Sequence, residues 1–175
     1  NKDIHFYKGL STMNLGNTED ASIEFGLYLK IHKSSAEANY YKGVCEFQLR
    51  NFEEALDLYD KAIILDEKYV FAYNDRASTK RMLHDIEGAI TDYGLAIKYN
   101  PNLAFVYNNL GSVLRMKHSY EEAITSYNKA LSLEKSYLYY NNLGQVYLEM
   151  EKYDFAIRFF SKTIELYPAF APAYN

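Results

Sequence analysis

The chain has 175 residues, 49% of them hydrophobic and 24% charged, a balance that excludes wholesale disorder and suits a folded protein with a core. Three prolines and eight glycines are too few for a linker-rich or fibrous protein, and no stretch approaches the roughly 18 consecutive apolar residues of a membrane helix, so membrane insertion is not expected. With 19 basic and 23 acidic residues the formal charge is −4, which gives no electrostatic reason to hold phosphate backbones, and no nucleic-acid partner is expected.

In chain order the predicted elements repeat. Residues 2–35 carry Gly9, Ala21 and Phe25, and residues 36–69 carry Gly43, Ala55 and Tyr59. Residues 70–103 carry Ala77, Ala89 and Tyr93 and close with Pro101. Residues 104–136 carry Gly111, Ala123 and Tyr127, and residues 137–170 carry Gly144, Ala156 and Phe160 and close with Pro168. The alanines are spaced by 34, 34, 34 and 33 residues, and EEALDLYDKAI at 53–63 matches EEAITSYNKAL at 121–131. A fixed period of this length marks a solenoid of small repeated units.

Each unit reads as two helices. In a second helix Phe52, Ala55, Leu56, Tyr59, Ala62 and Ile63 form an apolar stripe, and in a first helix Tyr107, Leu110, Gly111 and Leu114 do the same. A short turn around His118, Ser119 and Tyr120 makes the pair antiparallel. Glycine inside a helix costs about 0.8–1.0 kcal/mol relative to alanine, so its return at one position predicts a space too tight for a larger side chain. Proline at the unit's end stops the second helix.

With these residues the sequence resembles the tetratricopeptide repeat family, whose period is 34 and whose pattern runs aromatic, Leu-Gly, aromatic, Ala-x3-aromatic and Pro. The resemblance covers five repeats, with Ala171 to Asn175 as the start of a sixth, so the chain is expected to be an excerpt of a longer array or multidomain protein. The fourth repeat lacks one residue in its last loop, Ala77 replaces the usual glycine, and prolines are absent at Lys33, Glu67 and Lys135. The family fold implied is all-α, a right-handed α-α superhelix with first helices lining a concave groove. Positions 2, 5, 6, 9, 12 and 13 of each repeat are then expected to face that groove, and 4, 7, 8, 11, 20, 24 and 27 to pack.

On this register Asn74-Asp75, Asn108-Asn109 and Asn141-Asn142 stand at positions 5 and 6, with Asn175 opening the next pair. A primary amide both donates and accepts, so a row of them suits the main chain of an extended peptide. Arg81 and Arg115 at position 12 suit carboxylates or phosphates, and Ser78, Ser112 and Gln145 at position 9 add polar neighbours. Phe71, Phe105 and Leu138 at position 2 supply apolar contact. YNNLGSVL at 107–114 and YNNLGQVY at 140–147 resemble the repeats before the catalytic region of the O-linked N-acetylglucosamine transferases, in which an asparagine ladder grips extended substrates. Asn109 and Asn142 match that position, Asp75 nearly so, and Tyr7 and Tyr41 depart from it. The asparagines also admit a plainer reading, as solvated residues or as bonds to the neighbouring repeat.

The two-carboxylate clamp of chaperone-adaptor members of the family is not expected, because its best frame offers Asn74, Ser78, Asn109, Leu138 and Asn142, with neither lysine nor arginine. Tyr59, Tyr73, Tyr93, Tyr107, Tyr120, Tyr127, Tyr140, Tyr147 and Tyr153 fall on packing positions. Tyr7, Tyr40 and Tyr41 fall on the groove, where a ring either receives an apolar ligand side chain or covers the array's end. His84 and His118 share position 15 but have no third metal ligand, and Cys45 reads as an inert core thiol that fits a reducing, cytoplasmic compartment. Glu53-Glu54 and Glu121-Glu122 complement helix dipoles. No phosphate loop or serine elbow is present, so neither enzyme activity, a cofactor nor a metal is expected. The function expected is a non-catalytic scaffold holding an extended partner peptide, with a substrate-docking region of a larger enzyme such as a protein glycosyltransferase as the alternative. Apolar residues around Phe160, Ile164 and Phe170 predict weak self-association.

Overall fold

The computed structural model describes residues 3–169, which form ten α-helices and, among the described residues, no strand. They come as five pairs: α1 (Ile4–Asn14) with α2 (Thr18–Ile31), α3 (Ala36–Gln48) with α4 (Phe52–Leu65), α5 (Val70–Met82) with α6 (Ile86–Tyr99), α7 (Ala104–Met116) with α8 (Tyr120–Leu133), and α9 (Tyr137–Glu149) with α10 (Tyr153–Leu166). Phe170 and the expected start of a sixth repeat at 171–175 lie outside the described residues.

The chain divides into two compact units, Asn1–Tyr99 and Asn100–Asn175. In the first, each first helix packs on its own second helix, and α2 packs on α3 and α4 on α5; in the second, α7 packs on α8, α8 on α9 and α9 on α10. All five second helices have 14 residues, although a proline follows only α6 and α10. Proline is therefore dispensable as a stop. In α4 and α8, which lack it, Asp66 and Glu134 leave the helix in extended conformation while their amides still bond back to Ala62 and Ala130.

The recurrent glycine is explained by one contact. A Cβ added at Gly9 would lie 2.8 Å from Phe25, at Gly43 2.7 Å from Tyr59, at Gly111 2.8 Å from Tyr127 and at Gly144 2.5 Å from Phe160. The ring of position 24 thus lies across the helix at position 8, and the two residue choices depend on each other. The third repeat carries Ala77 there and still buries Tyr93.

The turn inside every repeat has the same backbone. Gly16, Arg50, His84, His118 and Glu151, all at position 15, have φ of 81°, 66°, 62°, 62° and 59°. The following amide reaches back to the last turn of the first helix, as in Asn51 N to Glu46 O and Ser119 N to Leu114 O, both 2.9 Å, and the position-15 amide bonds one residue further on, as Arg50 N does to Phe47 O at 3.0 Å. This is a Schellman ending, which requires the left-handed conformation. Only the first repeat uses the residue best suited to it.

Tyr59, Tyr73, Tyr93 and Tyr127 are buried, and Tyr107, Tyr120, Tyr140 and Tyr147 half-buried. Tyr153 departs from the expectation at 57% exposed. It opens α10, whose packing partner among the described residues is α9 alone.

Candidate functional site

In the first unit the site residues sit on α5, and each is tied to a neighbour. Asn74 is 6% exposed, and its amide donates to Asp75 Oδ1 at 2.8 Å. Asp75 Oδ2 accepts the Tyr40 hydroxyl of α3 at 2.8 Å. Burial raises the Asp75 carboxyl above its ordinary value, and these two hydrogen bonds oppose the rise. Ser78 Oγ donates to the Asn74 carbonyl at 3.1 Å and lies 2.9 Å from the Tyr93 hydroxyl. Arg81 is half-buried, and its charge acts on the same phenol.

The second unit repeats this arrangement on α7. Ser112 donates to the Asn108 carbonyl at 3.0 Å and accepts the Tyr127 hydroxyl at 3.1 Å, with the Arg115 charge beside that phenol. The Asn142 amide donates to Asn108 Oδ1 at 2.8 Å, so position 6 of one repeat bonds to position 5 of the repeat before it, not to its own counterpart Asn109. Asn109, whose Oδ1 is 3.4 Å from the Asn108 amide, and Gln145 are half-buried. Asn141 is 6% exposed, and its Oδ1 is buried without a hydrogen-bond partner, as is Arg115 Nε. The Arg115 guanidinium pairs through another nitrogen with Glu149 of α9. The carboxylate that the sequence suggested for Arg115 is therefore supplied, in this structure, by the chain itself.

Several of these partners escaped the sequence reading although their spacing carries them. Glu149 lies 34 residues beyond Arg115, hence on the same wall one repeat later. Arg76, placed on a packing position, binds the buried Asp92 in fork geometry, Nε to Oδ2 at 2.8 Å and an NH2 nitrogen to Oδ1 at 2.6 Å, with Lys80 2.8 Å from Oδ2. Lys8 pairs with Glu24 at the same separation of 16 residues, and that recurrence was the available signal. The ordered donors and acceptors suit recognition of amides and carboxylates.

The remaining candidates have structural environments. Cys45 is fully buried, which pushes its thiol up to about 11. His118 Nδ1 lies 2.9 Å from the Tyr120 hydroxyl, and among the described residues no group of three or more His, Cys, Asp or Glu side chains is placed to hold a metal ion. Among them, too, no helix is long and apolar enough to cross a membrane.

Residues 103–169 match a family model described as tetratricopeptide repeat, and residues 36–69 match a second model of the same description. No curated protein matches the chain. Among solved structures, MamA 41-end from Desulfovibrio magneticus RS-1 is 19% identical with a TM-score of 0.87, covering 97% of this chain and 97% of that one. A crystal structure of MamA is 24% identical with a TM-score of 0.81, covering 90% and 92%. YrrB, described as a TPR protein with an unusual peptide-binding site, is 18% identical with a TM-score of 0.78, covering 97% and 88%. At these identities the likeness is one of fold.

Proposed function

The chain belongs to the tetratricopeptide repeat family, a repeat fold of protein–protein interaction scaffolds, and from that premise we propose that it is a non-catalytic scaffold whose first helices hold an extended segment of a partner. The observation that carries this reading is the pair of half-buried amides of Asn108 and Asn142, held by a 2.8 Å bond that uses one amide hydrogen of Asn142 and one lone pair of Asn108. A primary amide has further donors and acceptors beyond one such bond. A peptide main chain offers both an N–H and a C=O to them while its side chains go unread. Asn109, Ser112 and Gln145 flank that pair, and Asn74, Asp75, Ser78 and Arg81 offer the same groups on α5. The peptide-binding site named for YrrB supports the same use of the fold. Of the residues expected to drive self-association, Phe160 and Ile164 are half-buried and Phe170 lies outside the described residues, and it is Ile157 of the same helix, 64% exposed, that adds weak self-association.

The test is a display library of unstructured peptides selected on the chain. Selected peptides are expected to share little side-chain consensus, to lose binding when their backbone amides are N-methylated, and to lose it on Asn109→Ala/Asn142→Ala. Peptides that tolerate N-methylation, or that bind the double variant as tightly, would overturn the reading.

A further inference from the structure

The inner side of residues 3–99 has a chemistry of its own, which the amide array does not use. Its first helices carry aromatic rings in file. Tyr7 meets Phe6 at 5.9 Å, Phe6 meets Tyr41 at 6.0 Å, Tyr41 meets Tyr40 at 5.2 Å, and Tyr40 meets Phe71 at 6.5 Å between centroids. The file thus runs from α1 through α3 to α5. Its interior members are half-buried, whereas Tyr7 is 66% and Phe71 49% exposed.

Two carboxylates stand beside this file: Glu37 precedes Tyr40 and Tyr41 by three and four residues on α3, and Asp3 lies 3.8 Å from His32, which stacks on Tyr28, itself 5.2 Å from Phe6. The Tyr28 phenol, stacked at 4.4 Å on His32, is raised first by burial and then by the charges of Asp3 and Glu37. The Tyr69 phenol, 5.0 Å from Tyr40, is raised first by burial and then by Glu37, with Asp66 and Asp75 contributing. Glu37 is exposed in the first turn of α3, and Asp3 is exposed ahead of α1. Set against these acids are His32, whose Nε2 is 3.8 Å from Asp3, Lys33 beside it in the cleft with Tyr28, and Arg81, one residue before the end of α5, while Lys8 is held in a pair with Glu24. Negative charge beside the faces of electron-rich rings complements a cation, because the ring quadrupole and the carboxylate attract it together.

We propose that this face docks the lysine or arginine side chains of an extended partner segment, their ammonium or guanidinium groups lying over the exposed ring of Tyr7 and its neighbours between the carboxylates of Asp3 and Glu37. The surface uses none of the asparagines of α7 and α9 and selects by charge, which those amides do not.

The probe is a fluorescent peptide of alternating lysine and glycine, titrated into the whole chain at physiological ionic strength, with an alternating glutamate and glycine peptide as its counterpart. The lysine peptide is expected to bind and the glutamate peptide not. Tyr7→Ala should weaken binding about two- to fivefold while Tyr7→Phe, which keeps the ring, leaves it unchanged. Glu37→Gln should weaken it about twofold, whereas Glu121→Gln, an exposed acid on α8 with the same change of net charge, should not. Asn109→Ala/Asn142→Ala should leave it unaltered, so failure here and failure of the amide reading are told apart. Equal loss from Glu121→Gln and Glu37→Gln would reduce the effect to net charge and overturn the proposal, as would full binding by Tyr7→Ala, or preference for an alternating proline and glycine peptide.

Discussion

At Gly16, Arg50, His84, His118 and Glu151 the chain needs φ near +60 to +80°, a conformation costing a residue with a Cβ roughly 1–2 kcal/mol. Gly16 has open space around the Cβ it lacks, so Gly16→Ala isolates the backbone and should lower stability by about 1 kcal/mol. Arg50→Gly should raise it by about 0.5–1 kcal/mol, since glycine's greater freedom in the unfolded chain offsets part of the relief. Urea unfolding midpoints of the two variants check both signs. His84 and His118 share a repeat position without a third metal ligand, and that position is a turn whose geometry is set by main-chain bonds. Asp75 gives a second prediction. Its folded-state pKa is raised by burial, so ionisation at neutral pH opposes folding, and this penalty is relieved as pH falls through the raised value. Asp75→Asn keeps an oxygen for the Tyr40 hydroxyl but loses the acceptor of the Asn74 amide, so its stability relative to the parent chain should be more favourable at pH 7 than in acid. A stability difference that is the same at pH 7 and below pH 3 would contradict this account.

Between elements, the contacts that hold a repeat together fall into two kinds, and only one was legible beforehand. The ring of position 24 crossing the helix at position 8 involves residues of fixed type, Gly9 with Phe25 or Gly111 with Tyr127, so the pattern announced the packing. The ion pairs between helices were hidden because the same register holds lysine or arginine in the first three repeats and Leu110 and Leu143 in the last two. Arg76, Lys80 and Asp92 join α5 to α6 around a carboxylate that is almost wholly buried. Removing Asp92 leaves Lys80 without it and Arg76 with only its second partner, Asp60, so Asp92→Ala should cost less than the about 3–5 kcal/mol of a wholly buried pair, read by chemical denaturation. Position placed the candidate residues on the first helices, and the bond to a neighbouring repeat that the asparagines also admitted is the one Asn142 makes; the ion-pair and tyrosine partners were not legible. Tyr40 with Asp75, Asn142 with Asn108 and Arg115 with Glu149 each join one repeat to the next, and a single repeat's sequence does not contain its neighbour's side chain.

For the molecule, the family assignment and the paired-helix fold followed from periodicity because every repeat solves the same packing problem with the same residues. The exposed face of α10, with Tyr153 and Ile157, should produce weak association. Sedimentation velocity is expected to show a concentration-dependent rise that Ile157→Lys abolishes, and a monomeric profile at the highest concentration would count against it. The central claim is that the first helices are the working surface. The measurement that tests it most directly is affinity capture from source-cell extract, with bound proteins identified by mass spectrometry. It compares the chain with a variant in which Asn108, Asn109, Asn141, Asn142, Arg81 and Arg115 become alanine, after circular dichroism has matched their helicity. The account predicts a set of partners retained by the chain and lost by the variant. The same set on both, or none on either, would contradict it.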